Sequence, residues 1–171
     1  RKESSRAPLK KAKDKGRTMG PGASPSPEAP LDNEAQLSAG AWDLETLRAT
    51  AWPLTAPPNP RQRFPAFSTS YATLDAARAA GDDTAIVAVL EELLAAGAPL
   101  ISQDAAYQLA RHHLTLGRRD LALTAIARGL SRGGGHPLAR AQLLALQGEV
   151  LEQKGDEQGA AESYRRAQQA R

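Results

Sequence analysis

The three histidines are the residues of this chain best suited to bind a metal or to transfer a proton, but their spacing does not favour such a site. His112 and His113 are adjacent, so on a helix their side chains point about 100° apart and cannot share one metal as an i, i+4 pair does. His136 precedes Pro137 at a predicted helix start. We therefore expect ordinary surface or half-buried histidines and no metal.

Other residue patterns that support catalysis are also missing. The chain has no cysteine, so it has no disulfide, no thiolate nucleophile and no cysteine-based zinc site, and its redox compartment stays open. Residues 133–135 are three consecutive glycines, but the Gly-Lys-Ser/Thr ending of a phosphate-binding loop is absent and no strand is predicted before them. With no paired nucleophile and base, the sequence predicts a non-catalytic protein without cofactor or small-molecule substrate.

The second half of the chain is predicted to be helical throughout. From Ser70 onward, Ala, Leu, Glu, Gln and Arg predominate, and apolar residues recur at i, i+3, i+4 and i+7, which is typical of amphipathic helices. Five breaks predict six helices of three to four turns each. The breaks are Gly81-Asp82-Asp83, Gly97-Ala98-Pro99, Gly117-Arg118-Arg119, Gly133-Gly134-Gly135 and Gly155-Asp156.

The break glycines reveal an internal repeat. Gly81, Gly117 and Gly155 are separated by 36 and 38 residues, and each lies between a first and a second helix, so a helical hairpin is used three times. The last unit places small and large residues in a regular order: Gly148, Leu151, Gly155, Ala160, Tyr164 and Ala167. The middle unit has Ala110, His113, Gly117, Ala122, Ile126 and Gly129 at the equivalent positions.

Residues 67–171 therefore resemble the tetratricopeptide repeat (TPR) family, whose units are helix-turn-helix pairs of about 34 residues. The resemblance implies an all-α fold, a short solenoid of about three hairpins. We expect the small side chains of Gly148 and Ala160 to face each other, so that the two helices approach closely. The first unit departs from the pattern, because Leu74 and Ile86 stand at these positions; it is either a degenerate repeat or a capping hairpin.

The resemblance also implies a concave, partner-binding face formed by the first helices. Its predicted residues are Asp104, Tyr107, Arg111, Thr115, Gln142, Ala145, Glu149 and Gln153. Arg111 is the expected anchor for a carboxylate. Family members that clamp a C-terminal carboxylate use several basic residues on consecutive first helices, and Arg111 has no such companion in the sequence, so that activity is not expected here. An ordinary solvated helix face is the alternative.

Before the repeats, residues 42–66 form an arm that is rich in aromatics. In AWDLETLRATAW, Leu44, Leu47 and Ala51 have the spacing of a short amphipathic helix that Pro53 ends, and the segment from Pro57 to Phe67 is predicted to be extended. The large side chains either fold back onto the first helices of the same chain or anchor a partner protein. The candidate anchors are Trp42, Leu44, Leu47, Trp52 and Phe64.

The N-terminus is basic, whereas the rest of the chain is mildly acidic. Residues 1–17 contain eight basic and two acidic residues, a net charge of +6, and the remainder contains 14 basic and 17 acidic residues, a net charge of −3. Residues 1–19 are thus a basic tail, and residues 20–41, rich in Pro, Gly and Ser, are a linker. The tail is either a solvated terminus or a site for nucleic acid or an anionic membrane surface. The candidate polyanion-binding residues are Lys10, Lys11, Lys13, Lys15 and Arg17.

Taken together, these features predict a non-catalytic scaffold that binds one or more proteins, as an assembly factor or an accessory subunit of a larger complex. The alternatives are a ribonucleoprotein subunit that uses the basic tail and a peripheral subunit of a membrane complex. No apolar run approaches the ~18 residues of a membrane span, so a soluble protein is expected. The sequence begins with Arg1 rather than Met, which suggests a processed form or a fragment, and the compartment and oligomeric state stay open.

Overall fold

A computed structural model of the protein describes residues 43–171, and within this range every regular element is a helix. The predicted tail, the linker and Trp42 lie outside the described residues. Six helices follow residue 67, as the breaks predict: α3 (Ser68–Ala80), α4 (Asp83–Leu94), α5 (Pro99–Thr115), α6 (Arg119–Ser131), α7 (Pro137–Gln153) and α8 (Glu157–Ala170). The all-α prediction is confirmed.

Successive helices pack as antiparallel neighbours, because each connection is only a few residues long. The pairs α3 and α4, α5 and α6, and α7 and α8 are in contact, and α5 also packs against α4 and α7. We call α3, α5 and α7 the first helices, because each of them opens one of the three helical pairs. Most of the buried apolar side chains lie between these six helices.

The three glycines that define the repeat end their first helices in the same way. Gly81, Gly117 and Gly155 have φ of 67°, 73° and 85°, which is the left-handed conformation that glycine adopts at low cost. In each turn the next residue donates its backbone N–H to a carbonyl five residues earlier, as a Schellman motif does. These bonds are Asp82 to Ala77, Arg118 to His113 and Asp156 to Leu151.

Small residues allow close packing within the hairpins, but one predicted pair is different. A Cβ atom at Gly148 would lie within 2.5 Å of Tyr164 Cδ1, so the glycine makes room for the buried Tyr164 ring. The three heavy atoms nearest to this added Cβ atom all belong to that ring, whereas the sequence predicted that Ala160 would face Gly148. In the middle hairpin, a Cβ atom at Gly129 would lie 2.5 Å from Ala106 Cβ, and α5 and α6 come together at that point.

The arm contains two helices, one of which was not predicted. Helix α1 (Leu44–Ala51) is the expected one, capped by Asp43, whose side chain accepts from the Glu45 backbone N–H. The segment from Pro57 to Phe67 is not extended as predicted, because it contains helix α2 (Pro60–Arg63) and a 3₁₀ turn at Pro65–Phe67. Asn59 Oδ1 accepts from the Arg61 N–H, and Pro60 occupies the first helical position, where proline is favoured.

Helix α1 packs on α8 and, to a smaller extent, on α7. Helix α1 therefore covers the last hairpin, α7 and α8, and not α3 and α4, the helices that follow it in the chain. Ala51 joins a buried cluster made by α7 and α8. Phe64 and Phe67 pack instead against the larger cluster, which is built from α3 to α7.

Candidate partner-binding surface

The eight residues predicted to bind a partner come from α5 and α7, and the structure gives them different environments. Some of them contact other parts of the same chain, one is buried, and others are exposed. The arm contacts three of them: Tyr107, Glu149 and Ala145.

Trp52 of the arm contacts both α5 and α7 on the predicted surface. Its ring lies edge-on to Tyr107, with ring centroids 6.3 Å apart and planes at 82°, a favourable aromatic geometry. Its indole Nε1 donates to Glu149 Oε1 at 3.1 Å. Burial raises the pKa of Tyr107 above its usual value, and Glu149 acts in the same direction.

The arm continues over the first hairpin through Arg61. The Arg61 guanidinium donates two hydrogen bonds of 2.7 Å to the Asp75 carboxylate and lies 4.8 Å from the centroid of the Tyr71 ring. Tyr71 in turn donates its hydroxyl to Asp104 Oδ2 at 2.8 Å. Asp104 is therefore satisfied within the chain; burial raises the pKa of this carboxyl, although the donors Tyr71 and Gln108 act against that shift.

Ala145 does not line a groove, as predicted, because it is fully buried in the cluster that α1 covers. Gln142 is half-buried. Gln153 is exposed and accepts from Arg119 Nε at 3.3 Å. The repeat alignment placed Ala145 on the correct helix, but it could not show that another segment of the chain occupies the surface above it.

One cleft of about 300 Å³ is lined mainly by basic and polar side chains, and we call it the basic cleft. Its residues are Arg78, Tyr107, Gln108, Arg111, His112 and Thr115. Arg111 is exposed, and its guanidinium lies 6.0 Å from the centroid of the Tyr107 ring. No basic companion of Arg111 was predicted from the sequence, but the structure brings Arg78 of α3 to the same cleft, where it donates to Gln108 Oε1 at 2.6 Å.

A second cleft of about 300 Å³, the acidic cleft, lies beside α1. It is lined by Arg48, Glu149, Glu152 and Gln153. Arg48 forms an ion pair of 2.9 Å with Glu152, and the Tyr164 hydroxyl donates to the same carboxylate. Arg48 and Glu152 were not among the sequence-predicted residues, since only their position in the folded chain brings them together.

The candidate anchors of the arm that lie within the described residues contact their own chain. Leu44, Leu47 and Trp52 are partly buried against the α7 and α8 cluster, and Phe64 is partly buried against the larger one. Trp42 and the five candidate polyanion-binding residues of the tail, Lys10, Lys11, Lys13, Lys15 and Arg17, lie outside the described residues. Tyr71 was not among the predicted site residues. The repeat could have indicated it, because Tyr71 precedes Tyr107 by 36 residues, the same interval that separates Gly81 from Gly117.

The histidines and the glycine run do not form a site in the described structure. His112 Nε2 lies 3.2 Å from Asp83 Oδ1, and His113 is buried. The backbone next to the glycines packs on Gln103, whose Oε1 accepts from the His136 N–H at 3.1 Å. Among residues 43–171, no three acidic or histidine side chains are grouped to hold a metal ion. None of the helices in this range has the length and hydrophobicity of a membrane span.

Comparisons of the chain with protein-family models, with curated proteins and with solved structures found no match.

Proposed function

We propose that residues 67–171 form a short TPR-like solenoid that holds protein partners and performs no catalysis. Two observations support the repeat: the three hairpins share the same Schellman turn, and small residues allow close contact within the last two. The protein would act as an assembly factor or as an accessory subunit of a larger complex. Stacked helical hairpins provide an extended surface, which suits the recognition of a polypeptide segment.

The observation that carries this proposal is that the face of the first helices already holds a stretch of polypeptide, the chain's own arm. An aromatic contact to Tyr107, an indole hydrogen bond to Glu149 and a two-point ion pair with Asp75 fix the arm. Aromatic anchors and two-point arginine pairs are the interactions that protein interfaces use most often for specific binding. The surface therefore has the chemistry of a polypeptide-binding site.

The basic cleft is the part of this face that a partner could reach. It has two guanidinium groups, Arg78 and Arg111, from consecutive first helices, together with the polar side chains of Gln108 and Thr115. A guanidinium pairs well with a carboxylate, because it offers parallel N–H donors. An acidic segment of a partner protein is therefore the ligand that we propose for this cleft.

Affinity purification of the tagged full chain from its native source, followed by mass spectrometry, tests the proposal. We expect a reproducible partner that the Arg78→Glu and Arg111→Glu variants lose, because a carboxylate would then face another carboxylate. Arg166→Glu changes the charge of an exposed residue on α8 by the same amount and serves as the control. If all three variants retain the partner equally, the basic cleft is not its binding site.

A ribonucleoprotein subunit is the second candidate, and the charge separation between the tail and the rest of the chain favours it. Eight basic residues near one end can neutralise phosphates, and such binding weakens steeply with salt. Deletion of residues 1–17 should then abolish RNA binding while the protein partners remain. If RNA binding survives the deletion, or does not depend on salt, the tail is not an RNA-binding element.

A further inference from the structure

The arm is attached to the last hairpin by a small set of contacts. Helix α1 has eight residues, and helices of this length are not stable in isolation. It buries Ala51 completely and Leu44, Leu47 and Trp52 in part. Its polar contacts are made by side chains at exposed or half-buried positions, where ion pairs and hydrogen bonds contribute little to stability.

Those polar contacts hold the carboxyl end of α1 in particular. Arg171 donates to the carbonyl oxygens of Thr50, at 2.7 Å, and Trp52, at 3.1 Å, and Gln168 donates to Thr50 Oγ1 at 2.6 Å. Cationic donors are favourable at this end of a helix, where carbonyl groups lack helical partners. The end of α8 thus recognises a helix terminus as well as an apolar face.

The surface below α1 is apolar and contains several small side chains. It is formed by Leu144, Ala145, Ala160, Tyr164 and Ala167, all of which are buried. Small side chains allow a third helix to approach α7 and α8 closely. The acidic pair of Glu149 and Glu152 lies beside this surface and binds the indole and the guanidinium of the arm.

A non-helical segment, residues 53–59, joins α1 to the rest of the arm. Residues 53–59 contain three prolines, and Leu54 in this linker is fully exposed. The next anchor, Arg61, pairs with Asp75 of α3 and is independent of α1. The contacts of α2 with α3 therefore do not depend on the contacts of α1 with α7 and α8.

We infer that the surface of α7 and α8 is a docking site for an amphipathic helix, and that α1 is an internal ligand which a partner helix displaces. The inference rests on the proposed scaffold function and adds a second, chemically different site. The bound α1 defines the partner: apolar residues at i, i+3 and i+7, a basic residue at i+4 and tryptophan at i+8, which are the positions of Leu44, Leu47, Ala51, Arg48 and Trp52.

The test uses the full chain and a fluorescent peptide with the sequence of residues 43–53 as the probe. A segment on a short linker competes at an effective concentration in the millimolar range, so the peptide should bind the unaltered chain weakly. Trp52→Ala and Arg48→Glu in the chain weaken the internal helix but not the peptide. We expect each of them to increase peptide affinity at least ~10-fold, measured by fluorescence anisotropy.

Two controls make the result specific. Leu54→Ala changes a fully exposed side chain of the linker and should leave the affinity unchanged, and a peptide with alanine in place of its tryptophan should not bind. If Trp52→Ala and Arg48→Glu chains remain helical by circular dichroism but bind the peptide no better than the unaltered chain, α1 is a permanent part of the fold. If Trp52→Ala unfolds the chain, Arg48→Glu decides the result.

Displacement can be measured directly, because the chain has no cysteine of its own. Ala49 on α1 and Gln169 on α8 are both exposed. The double variant Ala49→Cys, Gln169→Cys therefore provides two cysteines for spin labels. We expect the distance between the labels to increase when the peptide saturates the chain; an unchanged distance would overturn the inference. The peptide assay needs no natural partner, so a failed purification would count against the proposed function, and a failed displacement would count only against this inference.

Discussion

The packing of Gly148 against Tyr164 can be tested by the Gly148→Ala substitution, which adds one methyl group. A Cβ atom at position 148 would lie within 2.5 Å of Tyr164 Cδ1, and the ring is fully buried, so the two helices must separate. We expect Gly148→Ala to lower the free energy of unfolding by about 1–3 kcal/mol, as overpacking does, in a urea titration. Gly133→Ala is the matched control, because no atom lies within 4 Å of its added Cβ atom, and it should be nearly neutral.

His113 illustrates what a spacing argument predicts and what it leaves open. The repeat places it at the position of Leu151, and the structure shows that it is buried there, whereas the sequence led us to expect surface or half-buried histidines. The sequence could not show that its Nδ1 atom has no hydrogen-bond partner among the described residues. Its pKa depends on His112 and Arg118, which are close to it in sequence, and on Glu91 of α4, whose proximity only the folded chain shows.

The environment of His113 predicts that the stability of the fold depends on pH. Burial, with His112 and Arg118, lowers the pKa of His113, so the unfolded chain takes up this proton at a higher pH than the folded chain. Stability must therefore fall as the pH decreases through the unfolded value of about 6.5. We expect His113→Leu to raise the unfolding free energy by about 1–2 kcal/mol at pH 7, because the unpaired Nδ1 atom is removed. The same substitution should reduce the loss of unfolding free energy between pH 7.5 and 5.5.

Thermal and urea unfolding at several pH values measure this effect. His136→Asn is a suitable control, since asparagine can retain the capping role of the His136 side chain at the start of α7. A pH dependence that is equal in the original chain and in His113→Leu would show that His113 does not cause it.

The helices are the part of the fold that the sequence predicted best, because each is ended by local chemistry. Glycine, proline and aspartate at the breaks act on their immediate neighbours and need no tertiary information. Helix α2 was missed since its signals, Asn59 and Pro60, lie within a proline-rich segment that reads as extended. The destination of α1 could not be predicted, because the surface that receives it comes from residues about 100 positions away.

The cap of α8 provides a prediction for a single helix. Asp156 Oδ1 accepts from the Gly159 backbone N–H at 2.8 Å, which satisfies a donor that lacks a helical partner. Asp156→Ala should lower the unfolding free energy by about 1 kcal/mol. Asp156→Asn should lower it much less, because asparagine and aspartate are both good N-cap residues. Equal losses for the two variants in urea unfolding would mean that the negative charge, and not the hydrogen bond, supports the helix.

In the described molecule, the arm joins parts of the chain that are distant in sequence, so its removal should affect the last hairpin most. A protein of residues 43–171 keeps both buried clusters and is the reference for this comparison. A protein of residues 60–171 lacks α1 and exposes the surface of α7 and α8. We expect it to be less stable by about 2–4 kcal/mol, given the half-buried side chains that are lost.

The comparison of these two truncated proteins also bears on the internal ligand. If α1 is replaceable, the peptide of residues 43–53 should restore part of the stability of residues 60–171, because a ligand that binds only the folded state stabilises it in proportion to its concentration. Hydrogen exchange should show this protection in α7 and α8, on which α1 packs, and not in α3 and α4. Uniform protection across the six helices would mean instead that the repeats unfold as one unit and that α1 stabilises all of them together.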